Sequence, residues 1–369
     1  MVSILKNPIL VVSLLVAFFA APSFADQDPI PHLDHVFLII MENHSYNQIL
    51  DNPDAPFINQ LAHAANLASN YFAVGHPSLT NYLEVIGGSN FGIVNDNYPN
   101  WHNATPSAQL NNPVSGTGLD LPTPARIAPF GRAIAAAPYV AKTIADQLTT
   151  AGKSWRSYNE SLPDSGLMDG VNFSDGIYSN LSLATNTAAD YVQRLYDVKH
   201  NPFVYFAAVQ ASSNANNGLH NIHAFTGNNG LYADLHSGKI ADFSFIVPNK
   251  CHDMHGIDNG SQACKKDAAL LQMGDASVRQ LVAAIKASPS WQTGNNAIIV
   301  MWDENNYADS PNQVVVIVDT SYGVHGIVSN QPYSHFALLK TLEAGFDLPC
   351  LNHACDGNVR LMADMFGKN

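Results

Sequence analysis

The sequence predicts an α/β fold in which a mostly parallel sheet lies between helical layers and carries long loop insertions. Several short runs are apolar throughout rather than alternating, as strands covered on both faces must be. They are separated by segments with helical spacing, the strand–helix–strand order that builds parallel sheets. Two of the runs end abruptly in paired acidic or amide side chains, and in open α/β sheets the ligand crevice lies at the carboxyl ends of the strands.

The first strand runs from His35 to Met41 and ends in Glu42 and Asn43. Apolar residues at Phe57, Ile58, Leu61, Ala64, Ala65 and Leu67 predict a helix across Ala55 to Ser69. Val140 to Ala151, closed by Gly152, reads as another helix with a glycine cap, followed by a strand at Ser154 to Tyr158. Further strands are expected at Pro202 to Val209 and Asp242 to Val247, then a long amphipathic helix at Ala268 to Ala287. The strand from Ala297 to Trp302 runs into Asp303 and Glu304, and a strand at Gln313 to Val318 and a helix at His335 to Ala344 close the series. Asn90 to Pro138 and Ser161 to Asp190, rich in Asn, Pro, Gly and Ser, lack a sustained period and are assigned as insertions framing the pocket.

Residues 1–25 carry one positive charge, Lys6, a short apolar stretch and the small-residue pattern Ser23-Phe-Ala25, the signature of a signal peptide cleaved before Asp26. The remaining residues, 26–369, are read as one catalytic domain that is exported, secreted or periplasmic, without a stable membrane anchor. The net charge of −13 argues against nucleic acid or an anionic membrane as a sequence-independent partner. It does not exclude a small phosphorylated substrate, because a bound cation dominates the local field. Four cysteines in an exported chain suggest two disulfides, and the short loops favour Cys251 with Cys264 and Cys350 with Cys355. Six Asn-x-Ser/Thr sequons occur, at Asn43, Asn103, Asn159, Asn172, Asn180 and Asn259; the one at Asn43 is read as coincidental if that residue binds metal.

Glu42, Asn43, Asp303 and Glu304 form an oxygen-rich set suited to magnesium, calcium or manganese, and a histidine would shift the preference to zinc. Ser78, after His76-Pro77 and before an apolar helical pattern, is placed at a helix N-terminus where an anion is favoured. On that segment alone a plain helix cap is the simpler account of Ser78. Asp253 and His255 project the same way from an extended segment, as a ligand pair or as part of a polar loop pinned by a disulfide. His325 and His335 follow the strand at Gln313 to Val318, on the side where the other candidates gather; His335 equally suits the start of the last helix. His200 is as readily structural.

Together, Met41-Glu-Asn-His-Ser-Tyr46, Gly75-His-Pro-Ser-Leu-Thr-Asn-Tyr82, Lys199-His-Asn-Pro-Phe-Val-Tyr-Phe206, Val247-Pro-Asn-Lys-Cys-His-Asp-Met-His255, Met301-Trp-Asp-Glu304 and Tyr333-Ser-His-Phe-Ala-Leu-Leu339 resemble, in order, the phosphoesterase family of secreted acid phosphatases and bacterial phospholipases C. The resemblance implies an alkaline-phosphatase-like three-layer α/β/α sandwich and hydrolysis of phosphate esters with one or two divalent ions (Mg, Ca, Mn or Zn). Carried over, Glu42, Asn43, Asp303 and Glu304 are the metal ligands, Ser78 the nucleophile forming a phosphoserine, and Asn81 a holder of a phosphoryl oxygen. Asp253, His255 and His335 match positions that hold a second metal or contact phosphate, and His255 or His335 is expected to protonate the leaving oxygen. The expectation is an acid phosphatase acting on monoesters. The alternatives are a phospholipase C-type phosphodiesterase and a secreted calcium-binding protein without activity.

Overall fold

A computed structural model describes residues 30–92, 96, 139–162, 195–210, 212, 214–257, 264–309 and 311–367. The expected signal peptide, most of both loop insertions and the sequons at Asn103, Asn172, Asn180 and Asn259 lie outside the described residues. Among those residues the strands are β1 (His35–Met41), β2 (Asn66–Ala68), β3 (Tyr71–Phe72), β4 (Trp155–Asn159), β5 (Ile222–Ala224), β6 (Phe243–Val247), β7 (Asn296–Trp302), β8 (Val316–Thr320), β9 (Val328–Ser329) and β10 (Tyr333–Ser334).

The central sheet has the order β5-β4-β6-β1-β7-β8-β2-β9, and its β5-to-β7 half is parallel throughout. Only β8 runs against its neighbours. Among the described residues the link after β7 forms no helix to cross over the sheet, and β8 returns beside β7 as an antiparallel partner. Strands β1 and β7 are buried on both faces, as their unbroken apolar sequences require. Helices flank the sheet, with Pro56–Ala64 packed on Asp267–Lys286 and Ser78–Gly87 packed on His335–Gly345.

The helix expected over Val140 to Ala151 forms only at Ile144–Thr150, and two expected elements change type. The helix over Ala55 to Ser69 stops at Ala64, and Asn66–Ala68 becomes β2, between β8 and β9. Asn66 anchors that strand by donating to the carbonyls of Val324 and Met365 and accepting from the Ile327 amide, so tertiary pairing overrides the helical spacing. The expected strand at Pro202 to Val209 is a 3-10 turn, Pro202–Tyr205, followed by the helix Ala207–Gln210. Both edges of β4 are taken, by β5 and β6, so these apolar residues pack as a buried turn instead of joining the sheet there.

Both expected disulfides are present. The Cys251–Cys264 loop lies against the long helix at Gly274, where any Cβ would collide with the Met254 side chain. Asn159 is buried, which leaves its sequon no room for a glycan.

Glu343, on the last helix, is buried, and desolvation pushes its carboxyl up to about 9, opposed only in part by Gln147 and the Leu351 backbone. A folded-state pKa above the unfolded one means stability present at low pH is lost as pH rises from the ordinary carboxylate range through about 9. Glu343→Gln is therefore expected to raise Tm by a few degrees at pH 8, little or not at all at pH 4, with unchanged turnover. Thermal melts across that range check it; a lower Tm at pH 8 overturns it.

Candidate active site

Strands β1 and β7 run side by side with Met41 opposite Trp302, so the residues after each leave the sheet at one point. The Asp303 amide donates to the Met41 carbonyl (3.0 Å) and the Asn43 amide donates to Asp303 Oδ1 (3.2 Å). Asn43 adopts φ 48°, a left-handed conformation that asparagine tolerates and that turns the chain sharply after Glu42.

The helix Ser78–Gly87 supplies the hydroxyl. Pro77 occupies the cap position, so Ser78 is the first helical residue and its side chain is not a cap. Its hydroxyl donates to Glu42 Oε2 at 3.0 Å and lies 3.4 Å from Glu304 Oε1. One turn on, Asn81 Nδ2 donates to Glu304 Oε2 (3.0 Å) and to the Gly75 carbonyl (2.9 Å), while its oxygen accepts from the Gly75 amide. His76 Nδ1 stands 2.8 Å from the same Glu304 oxygen, and its ring packs, tilted by 30°, on the half-exposed Tyr307.

Whether these residues suit a cation can be tested on their spacing. Ser78 Oγ lies 3.0 Å from Glu42 Oε2 and 3.4 Å from Glu304 Oε1, and the Asn43 side-chain amide, whose nitrogen donates to those same two oxygens at 3.2 Å, would turn its oxygen inward to face a cation. An octahedral ion with bonds of ~2.1 Å holds neighbouring oxygens ~3 Å apart, so the cluster fits a hard divalent ion. Glu42 Oε1, Asp253 Oδ2 and Asp303 Oδ2 are buried without a hydrogen-bond donor. Desolvation pushes Glu42 up to about 8 despite the pull of Lys199, and Asp253 and Asp303 rise well above the carboxylate range through burial and the Glu42 charge. Glu304 is also raised by burial, against the pull of His76. So many buried acids are costly unless a cation neutralises them.

Asp253 lies beside Glu42 and accepts from the His255 amide at 2.7 Å. His255 donates from Nδ1 to the Gly256 carbonyl (2.8 Å), and its Nε2 accepts from Lys199 Nζ (3.1 Å). His335 donates from Nε2 to the Asp303 carbonyl (2.7 Å) and accepts at Nδ1 from the Tyr71 hydroxyl (3.0 Å). Burial holds His335 down at about 4, so it stays neutral, with both ring nitrogens engaged. His325 is elsewhere: because β8 is reversed, Asp319, opposite Ile298, leads to the other edge of the sheet, and His325 lies 3.9 Å from it.

Three residues that sequence reasoning left out, together with His200, which it read as equally structural, line the site. His200 Nε2 is 3.1 Å from Glu42 Oε1 and its Nδ1 3.4 Å from Asp253 Oδ2, with its ring stacked on Tyr82. Lys199 Nζ donates to Asp96 Oδ2 at 2.9 Å, and Asp96 Oδ1 accepts from the Leu79 amide at the start of the Ser78 helix. His76 is the fourth. His76, Lys199 and His200 sit inside the ordered motifs, a usable signal; Asp96 lies in a region with no local pattern.

Among curated proteins the chain is 26% identical to a phosphatidylinositol-3-phosphatase of Mycobacterium tuberculosis, over 92% of this chain and 84% of that one. It is 24% identical to an acid phosphatase of Aspergillus fumigatus, over 92% of this chain but only 62% of the fungal protein. A Vibrio parahaemolyticus protein in the alkaline phosphatase superfamily superposes with a TM-score of 0.51 at 13% identity, covering 92% of this chain and 71% of that one, a likeness of fold alone. The Phosphoesterase family profile matches residues 49–349, a span that holds the Ser78 helix, His200, His255 and both acids after β7. With that span and the converging carboxylates in agreement, the chain belongs to the phosphoesterase family, hydrolases of phosphate ester bonds.

Proposed function

We propose that the chain is an exported, metal-dependent phosphomonoesterase of acid-phosphatase type working through a phosphoserine on Ser78. The observation that carries this reading is the Ser78 hydroxyl, hydrogen-bonded to buried Glu42 at 3.0 Å and 3.4 Å from buried Glu304, oxygens spaced for a divalent ion. The phosphatase names of the relatives favour a monoester over a diester. The signal-like N-terminus and two disulfides support export. Among the described residues no helix is long and apolar enough to cross a membrane.

Glu42, Asn43, Asp303 and Glu304 would hold the ion, which when bound supplies positive charge at the phosphoryl group and lowers the pKa of a neighbouring hydroxyl. Glu42 Oε2 stands ready to take the Ser78 proton. Ser78 Oγ attacks phosphorus, the ester P–O bond breaks, and the alcohol leaves with that proton relayed through water. Water then cleaves the phosphoserine, releasing phosphate and restoring the hydroxyl. Asn81 fixes Glu304 and Gly75, and His335 fixes Asp303 through its carbonyl; both are positioning residues in this reading. His255 accepts from Lys199 and has no proton on Nε2 to give, so neither expected histidine serves as the acid here.

Acid-quenching the enzyme during turnover of p-nitrophenyl phosphate is expected to trap phosphate on the peptide bearing Ser78. Bis-p-nitrophenyl phosphate should turn over at least about 100-fold more slowly, since a second ester group replaces a charge the site is built to neutralise. Label on another residue, or faster diester hydrolysis, would sink the reading.

A further inference from the structure

We propose that Lys199 is the resident second cation of this site: its ammonium group holds the place beside His255 that a second metal ion would take. The inference rests on the metal-dependent reading above and extends it to the number of ions, one per chain. A second ligand set does exist, because ligand atoms of Glu42, His200 and His255 all lie within 4.8 Å of one another. Asp253 Oδ2, 3.4 Å from His200 Nδ1, borders it. Such a mixed nitrogen and carboxylate set suits zinc or manganese.

The occupant is already there. His255 Nδ1 is committed to the Gly256 carbonyl, which leaves the Nε2 lone pair as its one metal-binding electron pair, and Lys199 Nζ donates to that nitrogen at 3.1 Å. One lone pair cannot serve an ammonium proton and a metal together. Lys199 is no wandering surface side chain: it is buried, its ammonium is anchored to Asp96 Oδ2 at 2.9 Å, and its backbone belongs to the same short turn, Val198–His200, that delivers His200 to Glu42. The Asp96 carboxylate, 2.9 Å away, is the counter-charge of that ammonium. Lys199 thereby supplies fixed positive charge next to the Ser78 helix, where Asp96 also meets the Leu79 amide, without depending on a second ion.

The test is metal content. Wild type, Lys199→Arg, Lys199→Ala and Lys199→Gln would be dialysed against excess Zn2+ and the bound zinc per chain measured, with near-ultraviolet circular dichroism to confirm folding. Wild type and the arginine variant are expected to hold one ion; the alanine variant, or the longer glutamine variant should alanine not fold, is expected to hold two. Two ions on wild type, or one on a folded neutral variant, overturns the proposal. No ion on wild type instead overturns the metal-dependent reading beneath it.

Discussion

Ser78→Ala is expected to lower kcat on p-nitrophenyl phosphate by at least about 1,000-fold, since in the proposed mechanism it removes the nucleophile and its covalent path while leaving binding and charge neutralisation in place. The substitution deletes one buried hydroxyl whose partners, Glu42 and Glu304, keep other neighbours in His200 and His76, so the fold and metal content should survive. Measuring kcat, bound metal and Tm on one preparation separates the outcomes. Turnover within about tenfold of wild type by a folded, metal-loaded variant shows that the oxygen cluster acts without Ser78.

Removing the metal is expected to make stability strongly pH-dependent, and the sign follows from the buried groups. In the metal-free fold Glu42 titrates at about 8 and Asp253, Asp303 and Glu304 are also raised, all chiefly by desolvation. The folded state therefore holds protons that the unfolded chain releases near pH 4, and stability falls as pH rises toward 8. Buried His200 and His255 are held well below their ordinary value, an opposite effect that destabilises below about pH 6.5. Above about pH 6.5 those two histidines no longer oppose the site carboxylates, so between there and pH 8 chelated protein should lose Tm while metal-loaded protein loses much less. The gap between the two should widen by roughly 5 °C or more across that interval. Glu343 titrates in both samples and so drops out of the comparison. Parallel melting curves with and without chelator would refute the assignment of these carboxylates to a cation.

The strands and long helices were legible because their signals are local. A run such as Ile298-Ile299-Val300-Met301 has one stable environment, the inside of a covered sheet, and Asp267–Lys286 repeats its apolar residues at helical spacing over five turns' worth of chain. The segments misread were those where pairing partners decide. Asn66–Ala68 is a strand because β8 and β9 leave an edge for it, and Pro202–Tyr205 is a turn because β4 has none left. The reversal of β8 likewise sent His325 to the far edge.

The same division holds for the site. By itself the sequence determined which residues gather at one point: two acidic strand ends, a serine after His76-Pro77, and the Asp253-to-His255 segment, all marked by their place at an element boundary. Only the tertiary structure decided how they are used. It turned the Ser78 hydroxyl onto Glu42, hydrogen-bonded Asn81 to Glu304 and His335 to the Asp303 carbonyl, and brought Asp96 to Lys199 from a region with no local pattern. The physical reason is range: burial and periodicity are properties of a few neighbouring residues, whereas the partner of a lone pair is set by residues 36 to 226 positions away, as the two acids around Ser78 are.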